Sequence, residues 1–230
     1  MTIGMLLFDN FTQLDLTGPY EVFGRLPNTR VLLISENVEA IKCDLGMKIM
    51  SDTTFDNCPP LDIVFVPGGP GVSGAMENVN LMTFLKKQAT SAQYITSVCT
   101  GALVLAAAGL LKGYRATTHW LSLDLLLLFD GVSVDNQRVV MDRNRITGGG
   151  VTAGIDFGLT LVATIFSEKL AKEIQLMMEY NPQPPFNCGS PNTAEVDMVA
   201  QVTNDRLRIQ TQRRELILKL KAQNPLNSFQ

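Results

Sequence analysis

The chain holds one histidine and one tryptophan, and its four cysteines (Cys43, Cys58, Cys99, Cys188) are scattered with no CxxC pair. Zinc sites and disulfide frameworks both need clustered ligands, so neither is expected, no metal or organic cofactor is called for, and a reducing cytoplasm suits cysteines used singly. Charge is also sparse: 18% of residues are charged, the net charge is −3 and the pI is about 5.2. That balance disfavours nucleic acid as a partner. No apolar stretch reaches the ~20 uninterrupted residues of a membrane-spanning helix, because Gly, Lys or Asp intervene. The first eight residues have neither a basic region nor a cleavage site, and read as a strand rather than a signal peptide.

What is present is apolar: 46% of 230 residues, enough for a sizeable core in one α/β domain. Leu61 to Val66 is a continuous apolar run, as expected of a strand buried on both faces of a parallel sheet, and Thr2 to Phe8 and Tyr94 to Val98 also read as buried strands. Thr29 to Ile34 reads as another strand. Val38 to Cys43 and Met47 to Ser51 flank Asp44-Leu-Gly46 as a hairpin. Amphipathic spacing predicts helices from Asn78 to Thr90 and from Ser167 to Tyr180, the latter with Leu170, Ile174, Met177 and Met178 on one face. A leucine-rich helix is predicted from Leu121 to Phe129. Ile146 to Gly150 reads as a last strand, and Thr152 opens a helix to about Phe166. Strands alternating with helices predict a three-layer α/β sandwich, a mostly parallel sheet with helices on both faces. Residues 181–191 form an extended proline-rich arm. The domain is expected to span residues 1–195, with a helical extension over 196–230.

Three stretches carry chemistry. Ser97-Val-Cys99-Thr-Gly101 has the spacing of a nucleophile elbow, with small residues two before and two after the reactive one. Cys99 at such a corner faces the start of a helix, which favours thiolate; the alternative is a small buried hydrophobe. Asp15 lies at the carboxyl end of the first strand, just before a helix expected to begin near Pro19 with Thr17 as its cap. It is either a ligand-facing carboxyl or a cap. Pro67-Gly-Gly-Pro-Gly71 ends the Leu61 strand, and its glycines bring backbone N–H groups close to a ligand or simply make a turn. His119 is a further candidate, as base or as structural residue. In a parallel sheet, Asp15, this loop and Cys99 converge on one edge.

Asp15-Leu-Thr-Gly-Pro-Tyr-Glu-Val-Phe23, Val66-Pro-Gly-Gly-Pro-Gly71, Ser97-Val-Cys-Thr-Gly-Ala102, Ala116-Thr-Thr-His-Trp120 and Thr147-Gly-Gly-Gly-Val-Thr-Ala-Gly-Ile-Asp156 together resemble the ThiJ/PfpI superfamily. The resemblance implies a flavodoxin-like, class I amidotransferase-like fold. Protease-like members carry His directly after the cysteine; Thr100 stands there in this chain, which argues against a Cys-His peptidase. Asp15 with Cys99-Thr100 and the tail Asn181-Pro-Gln-Pro-Pro-Phe186 are most similar to the branch that hydrates isonitriles to N-substituted formamides. That likeness implies a small-molecule isonitrile and water as substrates. Cys99 is then the nucleophile, Asp15 the acid and base, and Thr100 their neighbour. Gly69, Gly71, Gly150 and Thr152 are expected to line the pocket. A homodimer is also implied. A cofactor-independent glyoxalase and a cysteine-based redox sensor remain alternatives on the same fold. Regulators of the superfamily add a DNA-binding domain, for which the last ~35 residues are too few. Leu207-Arg-Ile-Gln-Thr-Gln-Arg-Arg214 is locally basic and reads as a solvated helix face.

Overall fold

The computed structural model of the chain describes residues 1–223. Its first half runs β1 (Thr2–Leu6), α1 (Gln13–Phe23), β2 (Arg30–Ser35), β3 (Ile41–Lys42), β4 (Lys48–Ile49), β5 (Thr53–Thr54), β6 (Ile63–Val66), α2 (Val72–Glu77), α3 (Val79–Ala89) and β7 (Tyr94–Val98). Next come α4 (Gly101–Ala107), β8 (Arg115–Ala116), a 3₁₀ turn (Trp120–Ser122), α5 (Leu123–Leu126), β9 (Ser133–Val134), β10 (Val139–Asp142) and β11 (Arg145–Gly148). The chain ends in α6 (Ala153–Ile165), α7 (Glu168–Met177) and α8 (Val196–Gln223).

Seven strands form the central sheet in the order β10-β11-β7-β6-β1-β2-β5, parallel except for β10 at one edge. Its middle strands are those read as buried in the sequence; all four residues of β6 are buried. From β1 the chain crosses to β2, toward the β5 edge, whereas from β6 it crosses to β7, toward the β10 edge. Parallel crossovers are right-handed, so these two steps lay their helices on opposite faces. α1, α6 and α7 pack together, and α4 packs with α2 and α5. Phe23, Phe65 and Phe157 meet in the core, with ring centroids 5.6 to 6.3 Å apart. Because the crossovers diverge at the adjacent pair β1 and β6, the crevice at their carboxyl ends is a topological switch point, where such folds bind ligands.

Three predicted elements differ in structure. α1 begins at Gln13 after Thr12, so Pro19 lies inside the helix and Asp15 is in its first turn rather than before it. Pro19 costs the helix one N–H bond to Asp15's carbonyl. The ring fills the α1–α6 contact instead: a Cβ on Gly154 would stand 2.8 Å from its Cδ. The leucine-rich stretch from Leu121 yields only one 3₁₀ turn and one α turn, and Leu127 is exposed. In α7 the buried residues are Ala171 and Ile174, while Met177 is 70% exposed. The Asp44-Leu-Gly46 hairpin forms as β3 and β4, with Gly46 at φ +96°. Residues 181–191 form no helix or strand, and Phe186 in the arm is exposed. The predicted tail beyond residue 223 lies outside the described residues.

Candidate active site

β7 ends at Val98, and Cys99 turns the chain with φ +52°, a left-handed conformation that a side-chain-bearing residue adopts at a cost. The turn is held from two sides. The Cys99 N–H donates to the carbonyls of Gly148 (3.0 Å) and Gly149 (2.8 Å), and the Thr118 hydroxyl donates to the Cys99 carbonyl at 2.8 Å. Gly101 then passes so close to β6 that a Cβ there would collide with the carbonyl oxygen of Val66. This is the close approach for which the elbow spacing requires a small residue.

Asp15 is fully buried in the switch-point crevice. Its Oδ2 accepts the Gly68 N–H at 3.0 Å, and its Oδ1 has no hydrogen-bond partner. The Cys99 thiol stands against this carboxyl, and the two perturb each other. Burial pushes the Asp15 carboxyl from 3.8 up to about 7; interactions with Cys99 and the Gly68 N–H pull it back in part, and the charge of Asp44 raises it further. Burial also pushes the Cys99 thiol up, and the neighbouring Asp15 carboxylate adds to this, against the N–H groups of Thr100 and Val151 that favour a thiolate. Desolvation therefore outweighs the helix end and favours the thiol over the expected thiolate. Two titratable groups in such contact titrate as a coupled pair.

Thr100 caps the start of α4 and is tied to the glycine loop: its hydroxyl accepts the Gly69 N–H at 2.9 Å. The Gly71 N–H donates to the carbonyl of Asn10 at 3.0 Å. Both loop N–H groups expected to meet a ligand are thus engaged within the protein. Gly68, which sequence reasoning passed over, is the glycine that contacts Asp15. A Cβ there would lie 2.5 Å from the Thr100 nitrogen and 2.9 Å from Asp15 Oδ2. Gly150 packs flat against His119, and a Cβ would stand 2.6 Å from the His119 Cδ2. Thr152 is exposed and accepts a bond from Arg138 at 3.4 Å, away from the cysteine; the neighbouring Val151 N–H reaches it instead.

His119 is engaged as well. Its Nδ1 accepts the Leu121 N–H at 3.3 Å, and its ring stacks on Trp120 with centroids 5.9 Å apart. Burial and the charges of Arg213 and Arg206 lower its pKa, so the ring is neutral and its lone pair is already used. Its Nδ1 is thus committed to the turn after Trp120 rather than to Cys99.

One site residue lies where the sequence read only a solvated face. Arg213 of α8 is 5% exposed, and its Nη2 donates to the Gly69 carbonyl at 2.8 Å. It had no signal beyond the i, i+4, i+7, i+11 spacing of Arg206, Gln210, Arg213 and Ile217, which puts all four on one helix face. Among the described residues no cluster of three or more His, Cys, Asp or Glu side chains is arranged to hold a metal ion, and no helix is long and apolar enough to cross a membrane.

The sequence family described as DJ-1/PfpI matches residues 1–164. The chain belongs to the DJ-1/PfpI family. Among curated family relatives, the isonitrile hydratase of Pseudomonas putida is 50% identical over 194 residues, 84% of this chain and 85% of that protein. The transcriptional regulator GbdR of Pseudomonas aeruginosa is 34% identical over 187 residues, and this chain spans half of its length. Among solved structures, a ThiJ/PfpI family protein from Pseudomonas syringae superimposes with a TM-score of 0.91 at 41% identity, over 94% of this chain and 90% of that one. Drosophila melanogaster DJ-1beta superimposes at 0.69 and 24% identity, over 77% of this chain, a likeness of fold.

Proposed function

We propose that this DJ-1/PfpI protein is an isonitrile hydratase, adding water to R–N≡C to give the N-substituted formamide. The observation that carries the reading is the Asp15 carboxyl against the Cys99 thiol: a nucleophile and a proton carrier, with a pKa of about 7 for the carboxyl, buried at the switch point. The half-identity to a hydratase over most of both chains supports the same reaction.

The terminal carbon of an isonitrile must gain both a nucleophile and a proton. Asp15 as carboxylate takes the thiol proton while the sulfur bonds to that carbon, and the same proton passes from Asp15 to the carbon. The product is a thioimidate, R–N=CH–S–Cys99. Asp15, again a carboxylate, next removes a proton from water as its oxygen adds to this carbon and passes that proton to the nitrogen, giving R–NH–CH(OH)–S–Cys99. Asp15 then takes the hydroxyl proton as the carbon–sulfur bond breaks, returns it to the sulfur, and R–NH–CHO leaves. A carboxyl with a pKa near neutrality suits both directions of transfer. The N–H groups of Thr100 and Val151 favour negative charge on the sulfur as it departs. Gly68 and Thr100 hold Asp15 and the loop in register.

Incubation with a simple aryl isonitrile should yield its formamide, followed by chromatography. Cys99→Ala should abolish the product, and near wild-type turnover by that variant would refute the covalent route. Methylglyoxal, assayed in parallel for lactate, tests the glyoxalase alternative. A redox-sensor role calls for an accessible, low-pKa thiol. Cys99 is 5% exposed and its thiol is pushed the other way.

A further inference from the structure

Arg213 is a buried guanidinium without a carboxylate. Among the described residues no Asp or Glu pairs with it; its Nη2 is on the Gly69 carbonyl, its Nη1 is 3.4 Å from Gln210 Oε1, and its Nε has no partner. An arginine stays protonated in such surroundings. A buried, unpaired charge is costly, and an unused N–H on it adds to the cost. Evenly spread surface charge does not explain it, because Arg206, two helical turns earlier on the same face, adds a second positive charge that both Arg213 and His119 experience. Gln210 fixes the stripe in place, donating to the Leu121 carbonyl at 2.7 Å and to Ser122 Oγ at 3.1 Å. Ile217 on the same stripe is fully buried. Arg213 is therefore held against the loop that carries Gly68 and Gly69, next to Cys99, with the exposed Arg206 two turns away on the same stripe.

We infer that Arg213, with Arg206 behind it, forms an anion-accepting subsite of the Cys99 centre, and that the preferred substrates are isonitriles bearing a carboxylate. This rests on the hydratase reading and extends it from a reaction to a substrate class. A guanidinium fork matches a carboxylate in shape and charge, and the Nε–H offers a donor that the protein leaves unused. The carboxylate is a spectator in the chemistry: water adds at the isonitrile carbon and the acid leaves unchanged on the formamide.

The test compares 4-isocyanobenzoate with its methyl ester, measuring kcat/KM for formamide release by wild type, Arg213→Gln and Arg213→Lys, with melting curves to establish folding. Wild type should prefer the carboxylate by about tenfold or more, Arg213→Gln should erase the preference, and Arg213→Lys should keep part of it. Equal losses on acid and ester in Arg213→Gln would overturn the inference, since the guanidinium would then serve Cys99 or packing alone. So would a wild type indifferent to the charge. Calorimetry with benzoate and benzamide separates this from the hydratase reading. If neither isonitrile is turned over but benzoate binds wild type and not Arg213→Gln, hydration fails and the anion subsite stands. If benzoate does not bind and only the ester is hydrated, the subsite fails and hydration stands.

Discussion

Replacing Asp15 by Asn should remove activity and at the same time stabilise the fold, in a pH-dependent way. The Asp15 carboxyl rises from 3.8 to about 7, with burial as the main cause. The unfolded chain ionises it near pH 4, whereas the folded chain does not until about pH 7. Between these values the unfolded state holds fewer protons, so each step up in pH favours unfolding. The cost is absent below pH 4, grows through the window and levels off above pH 7. The full difference corresponds to about 4 kcal/mol, a large share of a domain's net stability. Asn has nearly the same shape, carries no charge, and its side-chain oxygen can keep the Gly68 N–H bond. Urea unfolding of both proteins at pH 3.5 and pH 8 should give nearly equal midpoints at the lower pH. At pH 8 Asp15→Asn should be more stable, by up to the ~4 kcal/mol above. A stability difference that does not change with pH, or one favouring wild type at pH 8, would refute the assignment of a raised carboxyl pKa. Formamide production should be lost in the same variant at every pH, which links the destabilising charge to the reaction it serves.

Other outcomes follow from the same geometry. Asp44 raises the Asp15 pKa by its charge, so Asp44→Asn should move the acid limb of the kcat/KM profile to lower pH. Gly68→Ala drives a Cβ onto the Thr100 backbone and the Asp15 carboxyl, and should cut kcat by at least about a hundredfold with a folded circular dichroism spectrum. Thr118→Val removes the bond holding the Cys99 carbonyl and should cost about 1 kcal/mol in unfolding free energy. The homodimer implied by the family resemblance is a proposal that light scattering of the purified protein tests, with a mass near 50 rather than 25.2 kDa as the expected result.

The meeting of Asp15 and Cys99 at one sheet edge was legible in the sequence because its signals are local. Short, largely apolar stretches bounded by turn residues read as doubly covered strands, so β6 and β7 and the loops after them were placed at one edge, and the small residues around Cys99 announced the corner. Pro19 misled the reading of α1: a proline is most at home in a first turn, but here tertiary packing against Gly154 keeps it inside the helix. The glycine loop was located correctly, yet which N–H meets which partner depends on distances between segments 31 to 53 residues apart. Arg213 was illegible for the same reason carried further. Nothing in a basic helix says which of its arginines faces inward, and its contact with Gly69 spans 144 residues of chain.

That span has a consequence for the order in which the protein is made. A ribosome delivers Asp15, the glycine loop and the elbow well before it delivers α8. The sheet can close and bring the carboxyl to the thiol while Arg213 is still being synthesised or lies inside the exit tunnel. For that interval, a few seconds at ordinary elongation rates, the Asp15–Cys99 pair exists before Arg213 reaches the glycine loop. A nascent chain that stalls short of residue 213 would hold Asp15 beside Cys99 while the Gly69 carbonyl still lacks its guanidinium donor.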